Sequence, residues 1–136
     1  MALSQYTADA LLKWATNTTA FPAEPTTIYV ALFDGDPTSG GTEITNTITG
    51  STTRTTLALG AAPATSGNYR QIDNASQVQI TASASAGATA DYAAIYDAST
   101  AGNLIAYEAL TASKTIQTGD EVNFEANALV FRIKVA

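Results

Sequence analysis

The sequence predicts one mainly β domain, an antiparallel β-sandwich of jelly-roll or Greek-key type led by a single α-helix. Three observations carry this. The chain has 136 residues, the length of one domain with one core. Hydrophobic residues make up 46% of it, enough for a packed interior and too many for a disordered chain. After Pro25 the apolar spacing leaves the helical period and becomes alternating. About eight or nine short runs then follow at roughly 8–12-residue spacing, the signature of a sandwich or barrel. The domain is read as 1–136, with the helix over 4–16 and the sandwich over 26–135. No second helix and no linker are expected.

The helix is justified by its start, its face and its stop. Ser4 is a natural N-cap. Tyr6, Ala10 and Trp14 recur four residues apart, with Thr7, Leu11 and Ala15 beside them. Asp9 and Lys13 form an acid-to-base pair one turn apart. Asn17, Thr18 and Thr19 end the pattern, and Pro22 and Pro25 forbid its continuation. Leu11 and Trp14, the latter the sole tryptophan, are expected to be buried against the domain core or a neighbouring subunit.

The strands follow in order. Thr26–Phe33 (TTIYVALF) is β-branched and aromatic on both faces, as in a central or partner-covered strand. DGDPTSGG is a loop. Glu43–Ile48 and Arg54–Leu59 are expected strands, and 61–68 a loop. Val78, Ile80 and Ala82 alternate with Gln77, Gln79 and Thr81. The small-residue segment 82–90 reads as a loop with strand at each end. Ala90–Asp97 and Leu104–Leu110 form a hairpin across ASTAGN. Thr115–Gln117 is short and ends at Thr118-Gly119-Asp120, a turn. Val122 and Phe124 point one way, with Glu121, Asn123 and Glu125 opposite. In the last strand Leu129, Phe131, Ile133 and Val135 are expected to face in, with Arg132 and Lys134 out.

Composition excludes whole classes of chemistry. With no cysteine and no histidine, there is no disulfide framework, no thiolate nucleophile and no imidazole base or metal ligand. Charged residues are 13% and the net charge is −6. The bases Lys13, Arg54, Arg70, Lys114, Arg132 and Lys134 never run together, so neither nucleic acid nor an anionic membrane is an expected partner. No run reaches the roughly 20 apolar residues of a membrane span. The first residues lack the basic-then-apolar order of a signal peptide, so no export route of its own is expected.

The remaining constellations are modest. Asp34 and Asp36 crowd one loop, but the alternation of a Ca²⁺ loop stops at Pro37, and an Asx-type turn is the preferred reading. Glu121 and Glu125 share a strand face and lack the second carboxylate across a cleft that glycoside hydrolysis needs. Glu43 and Arg54, on successive expected strands, are a candidate structural ion pair. Tyr92, Tyr96 and Tyr107 fall in the hairpin strands and can line one face. The glycines form no phosphate cradle, and no hydroxyl has a recognisable activating base. No catalytic residue, metal site or cofactor is assigned, and the protein is expected not to be an enzyme.

A longer pattern remains: YVALF, then Asp36-Pro37-Thr38, Gly40-Gly41-Thr42-Glu43-Ile44, an Arg some ten residues on, then AAIYDA, GNLIAYEAL, Lys114-Thr115-Ile116 and Gly119-Asp120 before Val122 and Phe124. In this the chain resembles a family of small virion structural proteins of tailed bacteriophages. Its members are often labelled tail-fibre proteins and are similar to head decoration or cement proteins with a jelly-roll-like fold. The likeness runs from Leu3 to Val135. It is strongest at Tyr29–Phe33, Asp36–Glu43 and Ala93–Leu129, and weakest at Thr45–Thr89, where the usual Tyr-x-Arg stands as Thr52-Thr53-Arg54. The resemblance implies a cofactor-free structural protein that decorates and cements the outer capsid surface. Its implied partners are the major capsid protein and sister copies, with a trimer at a capsid symmetry axis. The alternative is a tail- or fibre-associated protein with a receptor- or glycan-binding role. Tyr6, Leu11, Trp14, Tyr29 and Phe33 are the candidate assembly contacts.

Overall fold

The structure, a computed structural model, describes residues 1–20, 22–84 and 87–135; the middle of the loop expected over 82–90 lies outside them. In chain order its elements are β1 (Ala2–Leu3), α1 (Gln5–Ala15), β2 (Ile28–Asp34), β3 (Thr42–Glu43), α2 (Thr45–Thr49), β4 (Thr55–Leu57), β5 (Ala64–Ser66), β6 (Tyr69–Asp73), β7 (Val78–Thr81), β8 (Ala88–Tyr96), β9 (Leu104–Ile116), β10 (Glu121–Phe124) and β11 (Val130–Lys134). All the pairings are antiparallel. The large sheet runs β1-β9-β8-β2-β3, with β4 also on β2; β10-β7 and β11-β6-β5 form two smaller sheets. The chain is therefore mainly β with a leading helix, as its patterning predicts.

The β2 strand is central because both its faces are apolar. It pairs with β8 from Tyr29↔Tyr96 to Phe33↔Tyr92. Val30 and Leu32 turn one way, into a core shared with Leu57, Ile95 and Ile116 of the same sheet and with Val78, Ile80 and Val122 of the smaller one. The sheets thus face each other across one apolar interior, the arrangement of a sandwich. Ala31, Phe33 and Ala94 turn the other way and form a second cluster with Tyr92, Tyr96, Leu104 and Tyr107.

Helix α1 begins where expected. The Ser4 hydroxyl oxygen accepts the Thr7 N–H at 3.2 Å, and the hydroxyl donates to the Leu104 carbonyl. Thr7 Oγ1 and the Ser4 N–H both donate to the Ile105 carbonyl, each at 2.8 Å. The first turn is so fastened to β9.

Glu43–Ile48 is not a strand, and a second short helix exists. Only Thr42 and Glu43 pair with β2. Leu32 then meets a side chain in place of a strand neighbour: its N–H donates to Thr45 Oγ1 at 2.8 Å, and its carbonyl accepts the Ile44 N–H at 2.9 Å. With that edge satisfied, the backbone coils into α2, buries Ile48 and stops at Gly50 with φ 68. Thr45 is fully buried. Thr45→Val keeps the shape but leaves the Leu32 N–H unpaired, so it is expected to lower unfolding free energy by about 1–3 kcal/mol in urea titrations.

The 61–68 loop and the last strand also need correction. Ala64–Ser66 pairs with Tyr69–Asp73 as a hairpin around Gly67 and Asn68. All of Ala64–Ser66 is exposed, so it has no apolar alternation to betray it. The strand expected at Leu104–Leu110 runs on to Ile116 and absorbs most of Thr115–Gln117. In β11 the inward face ends early: Leu129 is buried and Phe131 half-buried, but Ile133 is 50% and Val135 60% exposed. That end of the strand pairs with β6 and overhangs the core.

The pairs β6–β11 and β7–β10 follow one another along the same two stretches of chain, 69–81 and 121–134. Together they form one ribbon, interrupted at 74–77 and 125–129. Asn74 occupies the interruption, fully buried. Its Oδ1 accepts the Leu129 N–H, and its Nδ2 donates to the Ser76 and Glu125 carbonyls, all at 2.8 Å.

Candidate assembly site

Glu43 at the end of β3 and Arg54 just before β4 come together on the rim of the large sheet. Arg54 Nε donates to Glu43 Oε1 at 2.9 Å, and Nη2 to Oε2 at 2.8 Å. This is a bidentate fork, the strongest geometry for such a pair. The Arg54 side chain is 7% exposed and that of Glu43 22%. Arg54 Nη1 also donates to the carbonyls of Ala98 (3.0 Å) and Ala101 (2.6 Å), and its backbone N–H to that of Ser99 (3.0 Å). One side chain thus clasps the whole β8–β9 connection. Its guanidinium carbon lies 3.7 Å from the centre of the Tyr96 ring, a cation–π contact. Tyr96 in turn stacks on Phe33 at 6.3 Å and 12°.

The clasped loop is rigid for local reasons too. Asp97 accepts the Asn103 N–H at 2.7 Å and its side-chain amide at 2.8 Å. Gly102 has φ 76, and a Cβ there would sit 2.5 Å from Asp97 Oδ1. Any L side chain is excluded on both counts.

Burial pushes the Tyr96 phenol above the ordinary tyrosine range; Arg54 opposes this and Glu43 adds to it. The unfolded chain then loses this proton before the folded one does, so it binds fewer protons and stability falls as pH rises. The contribution is present below the ordinary tyrosine pKa of about 10 and is lost as pH climbs through and above it. Denaturation of wild type and Tyr96→Phe from neutral to strongly alkaline pH should show a steeper alkaline loss in wild type.

Two other sequence candidates adjoin the clasp: Tyr29 pairs with Tyr96 in register, and Phe33 stacks on it. Tyr29 and Phe33 share the outer sheet face with Tyr92, Tyr96 and Tyr107; Phe33 is buried and the tyrosines are half-buried. On α1 only Ala10 is buried. Leu11 is half-buried in an apolar groove with Leu3, Ile72, Phe131 and Ile133. Tyr6 is 39% and Trp14 64% exposed. Burial of Trp14 against its own domain core is therefore corrected: α1 is fastened by its first turn and buries Ala10, while Leu12 and Trp14 are exposed.

Asp36 Oδ1 accepts both the Thr38 N–H and hydroxyl at 2.7 Å, an Asx-type turn. Those bonds, the hydroxyl's first, hold the Asp36 carboxyl below the usual range. Among the described residues no group of three or more acidic side chains is placed to hold a metal ion. No helix among them is long and apolar enough to cross a membrane. Thr45 and Asn74 carry the most consequential buried polar contacts and were not singled out by sequence. Both look like ordinary loop residues until tertiary partners surround them.

The structure is thus a small antiparallel β protein with an ion-pair clasp on its rim and apolar side chains exposed outside its core. Residues 2–132 match the family described as Podophage GP4 fiber I protein gp80. The chain belongs to this family and is a phage fibre or structural virion protein of the tailed-phage kind. No curated protein matches it.

Proposed function

We propose that the protein is a subunit of the phage fibre apparatus, held in the virion by non-covalent contacts with sister copies and other virion proteins. The observation that carries this is the family match over residues 2–132, whose description is of a fibre protein. That description favours fibre over a capsid cement bound to the major capsid protein. Tyr6, Leu12, Trp14, Ile133 and Val135 are large apolar side chains left exposed, and contacts with other virion proteins would cover them. The reading assigns no catalysis, nucleic acid or membrane to the chain. Its best-built polar groups serve the fold, since both Glu43 oxygens are occupied by Arg54.

The test is a virion reconstruction carrying an epitope-tagged copy, decorated with antibody. Label on the fibres or their attachment supports the proposal. Label spread over the head overturns it in favour of decoration. A receptor-binding role within the fibre is a separate outcome, read by binding of the purified chain to host surface glycans.

A further inference from the structure

The ribbon made by β6–β7 and β10–β11 is electrically polar along its length. In one half, Val78, Ile80 and Val122 are buried, so Gln79, Thr81, Glu121 and Asn123 face away from the core, with Glu125 at the inner end. In the other half Phe131 packs on the core, and Ile72 lies opposite it in register. Their neighbours Tyr69, Gln71, Arg132 and Lys134 therefore face outward. The outward side thus carries Glu121 at one end, Glu125 near the middle and Arg132 and Lys134 at the other end, all exposed.

At the acidic end Lys114 Nζ donates to the Glu121 carbonyl at 3.4 Å. Among the described residues no carboxylate lies within ion-pair distance of Arg132 or Lys134, and no cation side chain within that distance of Glu121 or Glu125. Arg132 rests over the Tyr69 ring at 5.0 Å. Gln79 and Gln77 amides bond Glu121 and Glu125 at 2.9 and 2.8 Å, which holds the carboxylates in place without neutralising them. Two acids lie near the midpoint: Asp73, which accepts from Gln71, and Glu125, whose carbonyl accepts from Asn74 Nδ2.

We propose that this face is where two copies of the chain meet, antiparallel, about a two-fold axis near Asn74. A two-fold contact is self-complementary: whatever one copy presents at one end meets the other copy's opposite end. With Glu121 at one end of the face and Arg132 and Lys134 at the other, that operation sets Glu121 of each copy against Arg132 and Lys134 of the other, while Glu125, beside Asn74, stays near the axis. A chain of net charge −6 otherwise repels its copies, so this local complementarity selects the orientation. Exposed ion pairs are individually weak and screened by salt, so pairing is weak in free solution and strengthens at the high local concentration of an assembly. The inference deepens the self-association in the proposed function and rests on it for its biological setting.

The experiment is sedimentation equilibrium of the full chain in low and high salt. A dimer is expected in low salt, with association weakened about tenfold or more once the screening length drops to a few ångströms. Arg132→Glu with Lys134→Glu, and separately Glu121→Lys with Glu125→Lys, should each give a monomer. Mixed together, they should form a one-to-one heterodimer. Circular dichroism checks folding; if a reversed pair fails to fold, Arg132→Gln with Lys134→Gln replaces it and must lower association. A wild-type monomer in low salt, an oligomer indifferent to both reversals, or variants that do not pair when mixed overturns the proposal. Label on the head in the virion test defeats the fibre reading and leaves this dimer standing; a monomer here leaves the fibre reading standing.

Discussion

Asn74→Ala is expected to cost about 3–4 kcal/mol of unfolding free energy. The substitution removes three side-chain hydrogen bonds at a fully buried position. The Leu129 N–H loses its only side-chain acceptor in an environment with little water, and a buried unpaired donor costs about 1–3 kcal/mol. The Ser76 and Glu125 carbonyls lose a donor each. Glu125 keeps the Ala128 N–H, which is why the total is not larger. On a domain whose whole stability is about 5–15 kcal/mol, this is a large fraction. Asn74→Asp should do no better, since it keeps the acceptor but loses both donors and buries a charge. Urea titration gives the magnitude, and amide exchange at Leu129 should accelerate most. A loss below about 1 kcal/mol contradicts the role assigned to this side chain.

The Arg54 clasp should show the second large effect. Arg54→Met keeps much of the side-chain volume, removes the partner of Glu43 and strips donors from Ala98 and Ala101. Breaking a buried pair from one side costs about 3–5 kcal/mol. Glu43 retains some solvent access, so about 2–4 kcal/mol is expected here. Arg54→Lys should recover only part of this, because an ammonium cannot fork across both carboxylate oxygens while also reaching two carbonyls. A double-mutant cycle with Glu43→Gln isolates the pair: strongly non-additive losses are expected. Purely additive losses would sink the clasp as a unit.

Much of the fold was legible from spacing alone. β2, β7, the β8–β9 hairpin and β10 each have an apolar pattern that the observed conformation packs, and the leading helix is announced by its Ser4 cap, although Tyr6 and Trp14 of its expected face stay exposed. The Glu43–Arg54 pairing was readable because the two residues lie on successive expected strands. The stretch from Thr45 to Asp73 was read worst. There a buried hydroxyl replaces a strand partner at Leu32, and Ala64–Ser66 joins a sheet without burying anything. Neither event leaves a period in the sequence. The clasp's other contacts, to Ala98, Ala101 and the Tyr96 ring, were equally hidden, since they depend on where a distant hairpin lands.

The sequence by itself determined the mainly β class, the single leading helix cap at Ser4, the absence of thiol and imidazole chemistry, and a likeness to phage structural proteins. These follow from composition and local period, which are properties of neighbours along the chain. Only the tertiary structure decided which face of α1 is left exposed, that Asn74 holds the ribbon together, and that Glu121 and Glu125 share one outward face with Arg132 and Lys134. Those outcomes depend on register between strands far apart in sequence, and a shift of one residue would send each of these side chains to the opposite face.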